Sequence, residues 1–330
     1  MRALIFAAGL GTRLKPLTDT LPKALVPVGG QPLLYHVLRK LRAAGICEVT
    51  VNVHHFADRI ISYLASRPVP GMSVTVSDER DFLRETGGGI RHAEPLLVPA
   101  VSGSRPGFFW VHNVDILSNL DLGRFAARVP SYALAALAVS DRKTQRYFLF
   151  REEPSSADRL PAAAPEDCAS GPSGRGEPEC PDRMLRLVGW TNVATGEVRT
   201  PFPDLDVSAC RKLAFSGIHL ISDRIFDVFR AVDAACLSGC PVGGGTAPAE
   251  LLAGGKGPAK VAAGAVDRGG NGLTESHPAP LGERFSITDF YLRVCADYPI
   301  YGIVPPDFRM IDVGKPETLA AAEDFLSFQL

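Results

Sequence analysis

The N-terminal residues join a short apolar strand directly to a glycine-rich loop. Residues 4–6 are apolar, and the loop that follows at 7–16 reads AAGLGTRLKP. Small residues after a strand let the backbone approach a ligand closely, and backbone N–H groups in such a turn donate to phosphate oxygens. Arg13 and Lys23 add positive charge to the same region. The segment therefore predicts a site for a nucleoside triphosphate at the end of the first strand.

Two better-known glycine loops do not fit this segment. The phosphate-binding Walker loop requires Gly-Lys followed by Ser or Thr, and residues 7–16 do not contain it. The dinucleotide-binding fingerprint requires a third glycine at the position of Leu14. A tight turn with incidental glycines is the plainer reading of Gly9 and Gly11 alone, but it does not account for the whole run from 9 to 27.

The run at 6–27 resembles the signature of the sugar-1-phosphate nucleotidyltransferases. Further similar stretches follow in family order at 85–90, 113–115, 215–218, 287–289 and 311–314. The resemblance implies a metal-dependent enzyme that makes a nucleoside diphosphate sugar and releases pyrophosphate. The ETGGGI run at 85–90 and the FSGI run at 215–218 are most similar to N-acetylmuramate-1-phosphate uridylyltransferases and mannose-1-phosphate guanylyltransferase-like proteins.

Composition excludes several other classes of protein. The formal net charge is −1, which leaves no basic surface typical of nucleic-acid binding. No apolar run reaches the roughly 18 residues that a membrane span needs. The seven cysteines are scattered without a Cys-x-x-Cys pair, as in reduced proteins of the cytoplasm. We therefore expect a cytoplasmic protein that binds neither nucleic acid nor membrane, with monomer and homo-oligomer both open.

Apolar periodicity alternates between strand and helix along the first half of the chain. Strands are predicted at 4–6, 49–53, 73–76, 108–111 and 133–139. Helices are predicted at 33–41, with Pro32 as the first helical position, and at 57–64. This order predicts an α/β fold with a doubly wound, largely parallel, Rossmann-like sheet that binds ligands at the carboxyl ends of its strands. The later pattern predicts a hairpin at 185–190 and 197–200, strands at 213–221 and 300–304, and helices at 225–236, 285–298 and 316–328.

We expect residues 1–330 to form one nucleotidyltransferase domain with two flexible insertions. Residues 154–181 are rich in Pro, Ala, Ser and Gly and have little apolar surface to bury. Residues 239–282 hold twelve of the 32 glycines, and their apolar residues lack sustained periodicity. The second segment is interpreted as an insertion, with a lid over the sugar site as the alternative. The antiparallel portion near the hairpin is expected to be small and to bind the sugar.

Two aspartates match the family's metal-binding positions. Asp115 ends the apolar run that starts at residue 108, and Asp312 follows a second short run. Mg²⁺ prefers oxygen ligands and commonly takes one or two protein carboxylates together with substrate phosphates and water. From the bare sequence alone, a helix cap for Asp115 and a turn for Asp312 are the favoured readings, and the metal role rests on the resemblance to the family. The family usually has glycine where this chain has Val114, and that difference could narrow the approach of a ligand.

The resemblance also assigns residues to the two substrates. The nucleotide-binding residues are Ala8, Gly9, Gly11, Thr12, Glu85 and Gly88. The sugar-binding residues are Asn113, Ser216, Gly217 and Asp289, with a helix-cap or helix-surface role as the alternative for Asp289. The three glycines at 87–89 are expected to form an open wall that tolerates a bulky sugar or base.

Two cations are expected to carry the catalysis. Arg13 is assigned to the β- and γ-phosphates, because its planar fork can hold two oxygens of the departing pyrophosphate. Lys23 is assigned to the α-phosphate or to the sugar phosphate. Other acidic residues are expected on solvated loops without a role in the site: Asp78, Glu79, Asp81, Asp204 and Asp206.

Two alternatives to the transferase hypothesis stay open. A dehydrogenase would also bind a nucleotide on an α/β sheet, although the missing third glycine argues against it. A non-catalytic sugar-nucleotide sensor would keep the fold without the chemistry. The substrates expected for the transferase are UTP and N-acetylmuramate 1-phosphate, with GTP and mannose 1-phosphate as the alternative pair.

Overall fold

A computed structural model describes residues 1–98, 107–153, 184–237 and 279–327. The insertion predicted at 154–181 lies outside the described residues, as does the insertion predicted at 239–282 apart from its last four residues. Within the described ranges, no helix combines the length and the hydropathy needed to cross a membrane.

The described residues form fourteen strands and eight α-helices. The strands are β1 (Arg2–Phe6), β2 (Pro27–Val28), β3 (Gln31–Pro32), β4 (Glu48–Val53), β5 (Ser73–Asp78), β6 (Phe108–Asn113), β7 (Ile116–Ser118), β8 (Ala135–Ser140), β9 (Arg146–Glu153), β10 (Met184–Asn192), β11 (Glu197–Arg199), β12 (Arg211–Ser222), β13 (Ile300–Ile303) and β14 (Met310–Asp312). The helices are α1 (Leu33–Ala43), α2 (Ala57–Ser66), α3 (Glu85–His92), α4 (Glu94–Leu97), α5 (Leu122–Ala127), α6 (Ile225–Leu237), α7 (Ile287–Val294) and α8 (Glu317–Ser327).

Ten of these strands form one mixed sheet. Its order is β11-β10-β13-β8-β12-β6-β1-β4-β5, and β9 pairs with β10 and β12. Strands β6, β1, β4 and β5 are parallel, and so are β13 and β8. The other pairings are antiparallel, including both edges of the long strand β12. The α/β prediction is confirmed, whereas a largely parallel sheet describes only the part around β1.

The antiparallel part is larger than predicted because β10 and β12 pair with strands that are distant in the sequence as well as with near ones. Parallel neighbours require a crossover of a dozen or more residues, usually a helix. Residues 193–196 join β10 to β11, so these strands form the predicted hairpin, with Trp190 opposite Arg199. In the parallel part of the sheet, α1 lies between β1 and β4 in the sequence, and α2 lies between β4 and β5, as the alternating pattern predicts.

Two predicted helix boundaries differ from the structure. Pro32 pairs with Pro27 between β3 and β2 instead of starting a helix, and α1 begins one residue later. The helix predicted from 285 begins at Ile287, because the hydroxyl of Ser286 accepts the N–H of Thr288 and caps α7. Capping side chains thus set a boundary that hydrophobic periodicity leaves undefined.

A hydrophobic core covers each face of the sheet. Side chains alternate along β1, so Ala3 and Ile5 face one core and Leu4 faces the other. The first core packs against α1, and the second packs against α6 through Phe226 and α7 through Phe290. Because helices cover both faces, the carboxyl ends of the parallel strands are left at one edge as the accessible place for a ligand.

Two buried histidines lie on the neighbouring strands β6 and β12. His112 and His219 are 0% and 1% exposed. The ring Nδ1 of His219 lies 2.8 Å from the hydroxyl of Tyr291, and Nδ1 of His112 lies 2.7 Å from the carbonyl oxygen of Asn113. Burial lowers the pKa of His112 to about 4 and that of His219 to about 3. Both rings are therefore neutral in the folded protein at pH 7.

We expect the stability of the fold to fall as the pH drops below about 6.5 through these two histidines. The folded pKa of His219 lies below its unfolded value of 6.5, so the unfolded chain binds the proton first. The stabilisation is present above pH 6.5 and decreases as the pH falls towards the folded pKa. Between pH 7 and pH 5, His219 alone should remove about 2 kcal/mol from the free energy of unfolding.

Urea unfolding at pH 7, 6 and 5 measures this effect, with His219→Gln as the comparison. The variant cannot take up the proton, so its free energy of unfolding should fall by about 2 kcal/mol less than that of the parent over the same range. Equal pH slopes for parent and variant would show that His219 does not contribute.

Candidate active site

The loop after β1 is held at both ends. At its start, the N–H groups of Ala7 and Ala8 donate to Oδ1 of Asn52 over 2.7 and 3.2 Å. At Gly11 the backbone is left-handed, with φ +65°, and a Cβ would lie 2.9 Å from Cγ2 of Thr18. The hydroxyl of Thr18 donates to the carbonyl of Gly11 over 2.8 Å. Glycine is therefore required here both by conformation and by space.

Three amides in the middle of this loop are free. Among the described residues, the N–H groups of Gly9, Leu10 and Gly11 have no hydrogen-bond partner. The amide of Ala8, predicted to bind the nucleotide, is instead engaged by Asn52. A phosphate at this loop would therefore take its backbone hydrogen bonds from the residues after Ala8.

The loop borders a cleft of about 420 Å³ at the carboxyl ends of β1, β4 and β6. Nine of the sequence-predicted site residues line it: Ala8, Gly9, Gly11, Thr12, Arg13, Lys23, Glu85, Asn113 and Asp115. Ligands of open α/β sheets bind at this edge because strand ends and the loops after them converge there. Residues up to 107 positions apart in the sequence are thus brought to one cavity.

The two predicted metal ligands lie next to each other where β7 pairs with β14. Strand β14 pairs with β7, which places Asp312 opposite Ile116, and the N–H of Val313 donates to the carbonyl of Asp115 over 2.8 Å. Asp115 follows β6 in the turn before β7, so it does not cap a helix. Its carboxylate contacts the ammonium group of Lys23, and both side chains are more than four-fifths buried. Asp115 therefore lines the cleft, whereas Asp312 lies next to it on the neighbouring strand but is not among the lining residues.

The charges around Asp312 are compatible with a divalent cation. Burial and the nearby carboxylate of Asp115 raise the pKa of Asp312, while Lys23, Arg13 and Arg142 oppose this rise. Its Oδ1 atom is buried without a hydrogen-bond partner among the described residues. An unpaired carboxylate oxygen beside a second carboxylate suits Mg²⁺, which can complete its coordination with water and phosphate. No group of three or more His, Cys, Asp and Glu suited to a metal occurs in the described part of the chain.

Arg13 lies on the Asp312 side of the cleft. Its guanidinium nitrogen is 4.0 Å from Oδ2 of Asp312, and the arginine side chain is 58% exposed. A Cβ at Gly314 would lie 2.6 Å from Oδ1 of Asp312 and 2.8 Å from the same guanidinium, so a larger residue there would displace these two side chains. Arg13 is therefore held loosely at the mouth of the cleft, where its fork can turn to a phosphate.

The second glycine cluster serves packing. The N–H groups of Gly87 and Gly88 both donate to the carbonyl of Phe285, over 2.9 and 3.2 Å. A Cβ at Gly88 would lie 2.2 Å from the carbonyl oxygen of Glu283. The expectation of an open wall is therefore wrong, since the segment before α7 lies directly on these glycines. Of the two nucleotide-binding residues predicted here, Glu85 lines the cleft, whereas Gly88 does not.

The predicted sugar-binding residues are divided between two places. Gly217 lies at an irregularity in β12 with φ +80°, and a Cβ there would lie 2.6 Å from Nδ2 of Asn113. Ser216 is buried beside it, and its hydroxyl accepts the N–H of Ile218 over 3.3 Å. Asp289 instead forms an ion pair with Arg199 of the hairpin over 2.7 Å, outside the lining of the cleft.

Three residues near the cleft were not predicted from the sequence. Glu79, expected on a solvated loop, is 0% exposed and lines the cleft, so that expectation is wrong. Asn52 is also buried and lines it. Arg142 donates to the carbonyl of Phe215 over 3.1 Å, next to Ser216. The available signal was a polar residue in or just after an apolar strand, which in a parallel sheet points to the ligand edge.

Part of the chain is similar to known nucleotidyltransferases. Residues 2–147 match the family model described as Nucleotidyl transferase. The N-acetylmuramate alpha-1-phosphate uridylyltransferase of Caulobacter vibrioides is 47% identical over 115 residues, which cover 34% of this chain and 45% of that protein. The enzyme of the same name from Neisseria meningitidis is 40% identical over 121 residues, or 37% of this chain and 49% of that protein.

Residues 2–147 of this chain are therefore similar to the nucleotidyl transferases, over less than half of its length.

The resemblance of the run at 6–27 is thereby confirmed. A mannose-1-phosphate guanyltransferase of Candida albicans is also similar, with 31% identity over 166 residues, or 48% of this chain and 44% of that protein. The chain spans about half the length of the curated relatives it matches. A solved structure of a putative glucose-1-phosphate thymidylyltransferase from Bacillus anthracis has the same fold, with a TM-score of 0.59 at 15% identity over 98% of this chain and 94% of that chain.

Proposed function

We propose that this protein transfers a nucleoside monophosphate from a nucleoside triphosphate to a sugar 1-phosphate. The observation that carries the proposal is that Asp115, Arg13 and Lys23 line the cleft beside three free loop amides, with Asp312 adjacent to Arg13 and Asp115. Two polyanions must meet in this reaction, so the site needs cations and backbone donors more than a strong base. The cleft supplies these groups.

The residues fit an in-line displacement at the α-phosphorus. A phosphate oxygen of the sugar 1-phosphate forms the new bond to this phosphorus, and the bond to the bridging oxygen breaks and releases pyrophosphate. The nucleophile is already anionic, so no proton has to be removed from it. The free amides at 9–11 and the exposed guanidinium of Arg13 bind the β- and γ-phosphates, while Lys23 lies deeper, near the α-phosphate and the incoming sugar phosphate.

Asp115 and Asp312 would hold a magnesium ion in this scheme. When bound, Mg²⁺ supplies positive charge that offsets the repulsion between the two phosphate groups. Lys23 fixes the carboxylate of Asp115 through their direct contact. The hydrogen bond from the N–H of Val313 to the carbonyl of Asp115 extends the pairing of β14 with β7. The fold therefore sets the positions of both carboxylates.

Release of pyrophosphate from a grid of triphosphates against sugar 1-phosphates tests the proposal. A transferase releases pyrophosphate only when Mg²⁺, triphosphate and sugar 1-phosphate are all present. Binding of both substrates without release would support a sensor and contradict the transferase. Hydride transfer with a nicotinamide nucleotide would support the dehydrogenase alternative.

We propose UTP and N-acetylmuramate 1-phosphate as the preferred pair. The ETGGGI and FSGI runs and the partial similarity to two uridylyltransferases support it. GTP with mannose 1-phosphate is the second candidate, because guanyltransferases are also similar over part of the chain. The ratio of the two kcat/KM values decides between the pairs.

We further expect a cytoplasmic location, since the cysteines in the described part of the chain are free thiols.

Arg142 provides a specific prediction about the sugar. Its guanidinium donates to the carbonyl of Phe215, next to the predicted sugar-binding residue Ser216, and the residue is exposed. N-acetylmuramate carries a lactyl carboxylate that N-acetylglucosamine lacks, and a charge-assisted hydrogen bond to it would be worth about 2 kcal/mol. Arg142→Ala should therefore raise the KM for N-acetylmuramate 1-phosphate about tenfold or more and leave that for N-acetylglucosamine 1-phosphate nearly unchanged.

Steady-state kinetics with both sugars measures this difference. Arg39→Ala is the matched control, because Arg39 is an exposed arginine on α1 outside the cleft lining. If Arg142→Ala raises both KM values equally, Arg142 acts on the shared phosphate and not on the lactyl group.

A further inference from the structure

Asn52 is held in a single orientation by three hydrogen bonds. It lies near the end of β4 and is 2% exposed. Its Oδ1 accepts the N–H groups of Ala7 and Ala8, and its Nδ2 donates to Oε1 of Glu79 over 2.9 Å. Only the amide oxygen can accept two N–H groups and only the amide nitrogen can donate to a carboxylate. Neither aspartate nor leucine could make all three bonds.

Glu79 links this asparagine to the beginning of α3. The residue follows β5 and its side chain is fully buried. One carboxylate oxygen accepts from Asn52, and the other lies 3.4 Å from the N–H of Arg84. The space around the pair is filled on the helix side, since a Cβ at Gly89 would lie 3.1 Å from Glu79 and 3.3 Å from Asn52. The loop after β1, strand β4 and helix α3 are therefore joined by one buried polar chain.

The hydrogen bonds from Glu79 through Asn52 determine which amides of the glycine loop are free. The N–H groups of Ala7 and Ala8 are bonded to Asn52, so they are not available to a ligand in the cleft. The N–H groups of Gly9, Leu10 and Gly11 stay free. Without Asn52, two buried N–H groups would lose their partner, and the loop would have to rearrange to find another.

We propose that Asn52, oriented by Glu79, is a positioning residue that fixes the glycine loop for the triphosphate. The inference rests on the proposed transferase function and adds two residues to it. Neither residue has to touch the reacting atoms. Their effect would reach the triphosphate through the backbone of residues 7–11. The predicted sugar-binding residues on β12, Ser216 and Gly217, form no hydrogen bond with Asn52 or Glu79 in the described structure.

Kinetics of Asn52→Ala tests the proposal. The KM for the triphosphate should rise about tenfold or more, because the loop loses its fixed conformation, while the KM for the sugar 1-phosphate changes less than about threefold. Glu79→Gln keeps an acceptor oxygen for Nδ2 of Asn52, so the KM of this variant for the triphosphate should stay close to the parent value. Equal changes in both KM values would overturn the positioning role.

Thr50→Val is the matched control. Thr50 lies two residues earlier on β4, is equally buried, and its hydroxyl lies 3.1 Å from that of Thr75 on β5. The substitution removes a partly buried polar contact between β4 and β5 without touching the loop. Its KM for the triphosphate should stay at the parent value, and a rise as large as that of Asn52→Ala would show a general effect of weakening the sheet.

Two binding measurements make the test independent of turnover. Calorimetry with UTP and Mg²⁺ on the parent protein comes first, since absence of triphosphate binding by the parent would contradict the proposed function itself. If the parent binds and Asn52→Ala binds equally well, the positioning role is contradicted. Amide hydrogen exchange should show faster exchange at residues 7 and 8 in Asn52→Ala, and unchanged exchange there would also contradict it. Should Asn52→Ala fail to fold, Asn52→Asp takes its place, because it keeps the volume and the acceptor but loses the donor to Glu79.

Discussion

Replacement of Asp115 by asparagine is expected to lower kcat about 10²- to 10⁴-fold. The change keeps the shape of the side chain but removes the negative charge that would hold the metal beside Asp312. It also removes the carboxylate that contacts Lys23 and that raises the pKa of Asp312. Pyrophosphate release at saturating substrates measures the effect, and circular dichroism checks that the fold is intact.

Asp121→Asn is the control for this substitution. Asp121 is an exposed aspartate six positions further on, where it caps α5 by accepting the N–H of Arg124. Asparagine caps a helix about as well as aspartate, so both stability and kcat should remain near the parent values. Near-normal turnover of Asp115→Asn would remove Asp115 from the active site, and so would full turnover of the parent protein in excess chelator.

Replacement of Gly88 by alanine is expected to destabilise the fold by about 3 kcal/mol. The added Cβ would lie 2.2 Å from the backbone oxygen of Glu283, and a backbone atom cannot move aside as a flexible side chain can. The segment before α7 would have to separate from α3 and give up the hydrogen bonds from Gly87 and Gly88 to Phe285. Urea denaturation at pH 7 measures the loss.

Gly123→Ala provides the comparison for Gly88→Ala. Gly123 is also a helical glycine, but its added Cβ would meet only Oδ1 of Asp121, at the ordinary contact distance of 3.4 Å. Alanine favours a helix over glycine, so this variant should be unchanged or slightly more stable. If Gly88→Ala behaves in the same way, α3 and the segment at 283–285 are not packed as described.

Local sequence patterns predicted most of the secondary structure and the outline of the site. Apolar periodicity predicted the strands around β1, and the resemblance of the motifs to those of the family indicated Asp115, Asp312, Arg13 and Lys23 as site residues. The direction and order of the strands beyond β6 depend on pairing between distant segments, which local periodicity does not contain. That is why the sheet was predicted to be more parallel than it is.

The incorrect predictions about the site have a similar origin. A run of three glycines is compatible with an open surface and with close packing, and only the position of Glu283 distinguishes the two. Glu79 follows a strand of mixed polarity, which suggested a solvated loop, but it is buried because Asn52 and the amide of Arg84 satisfy its oxygens. Both outcomes depend on partners that are distant in the sequence.

The pairing of β7 with β14 also bears on how the protein acquires its activity as it folds. The two aspartates are separated by 197 positions (312 − 115), and only Asp115 lies in the part that matches the family model, residues 2–147. Contacts between distant segments form late, because a long loop must close before they stabilise anything. The glycine loop, Lys23 and Asp115 all precede β8, whereas Asp312 comes next to Asp115 only through the pairing of β14 with β7. Under the proposed function, the pair of carboxylates would therefore be complete only after the C-terminal strand has joined the fold.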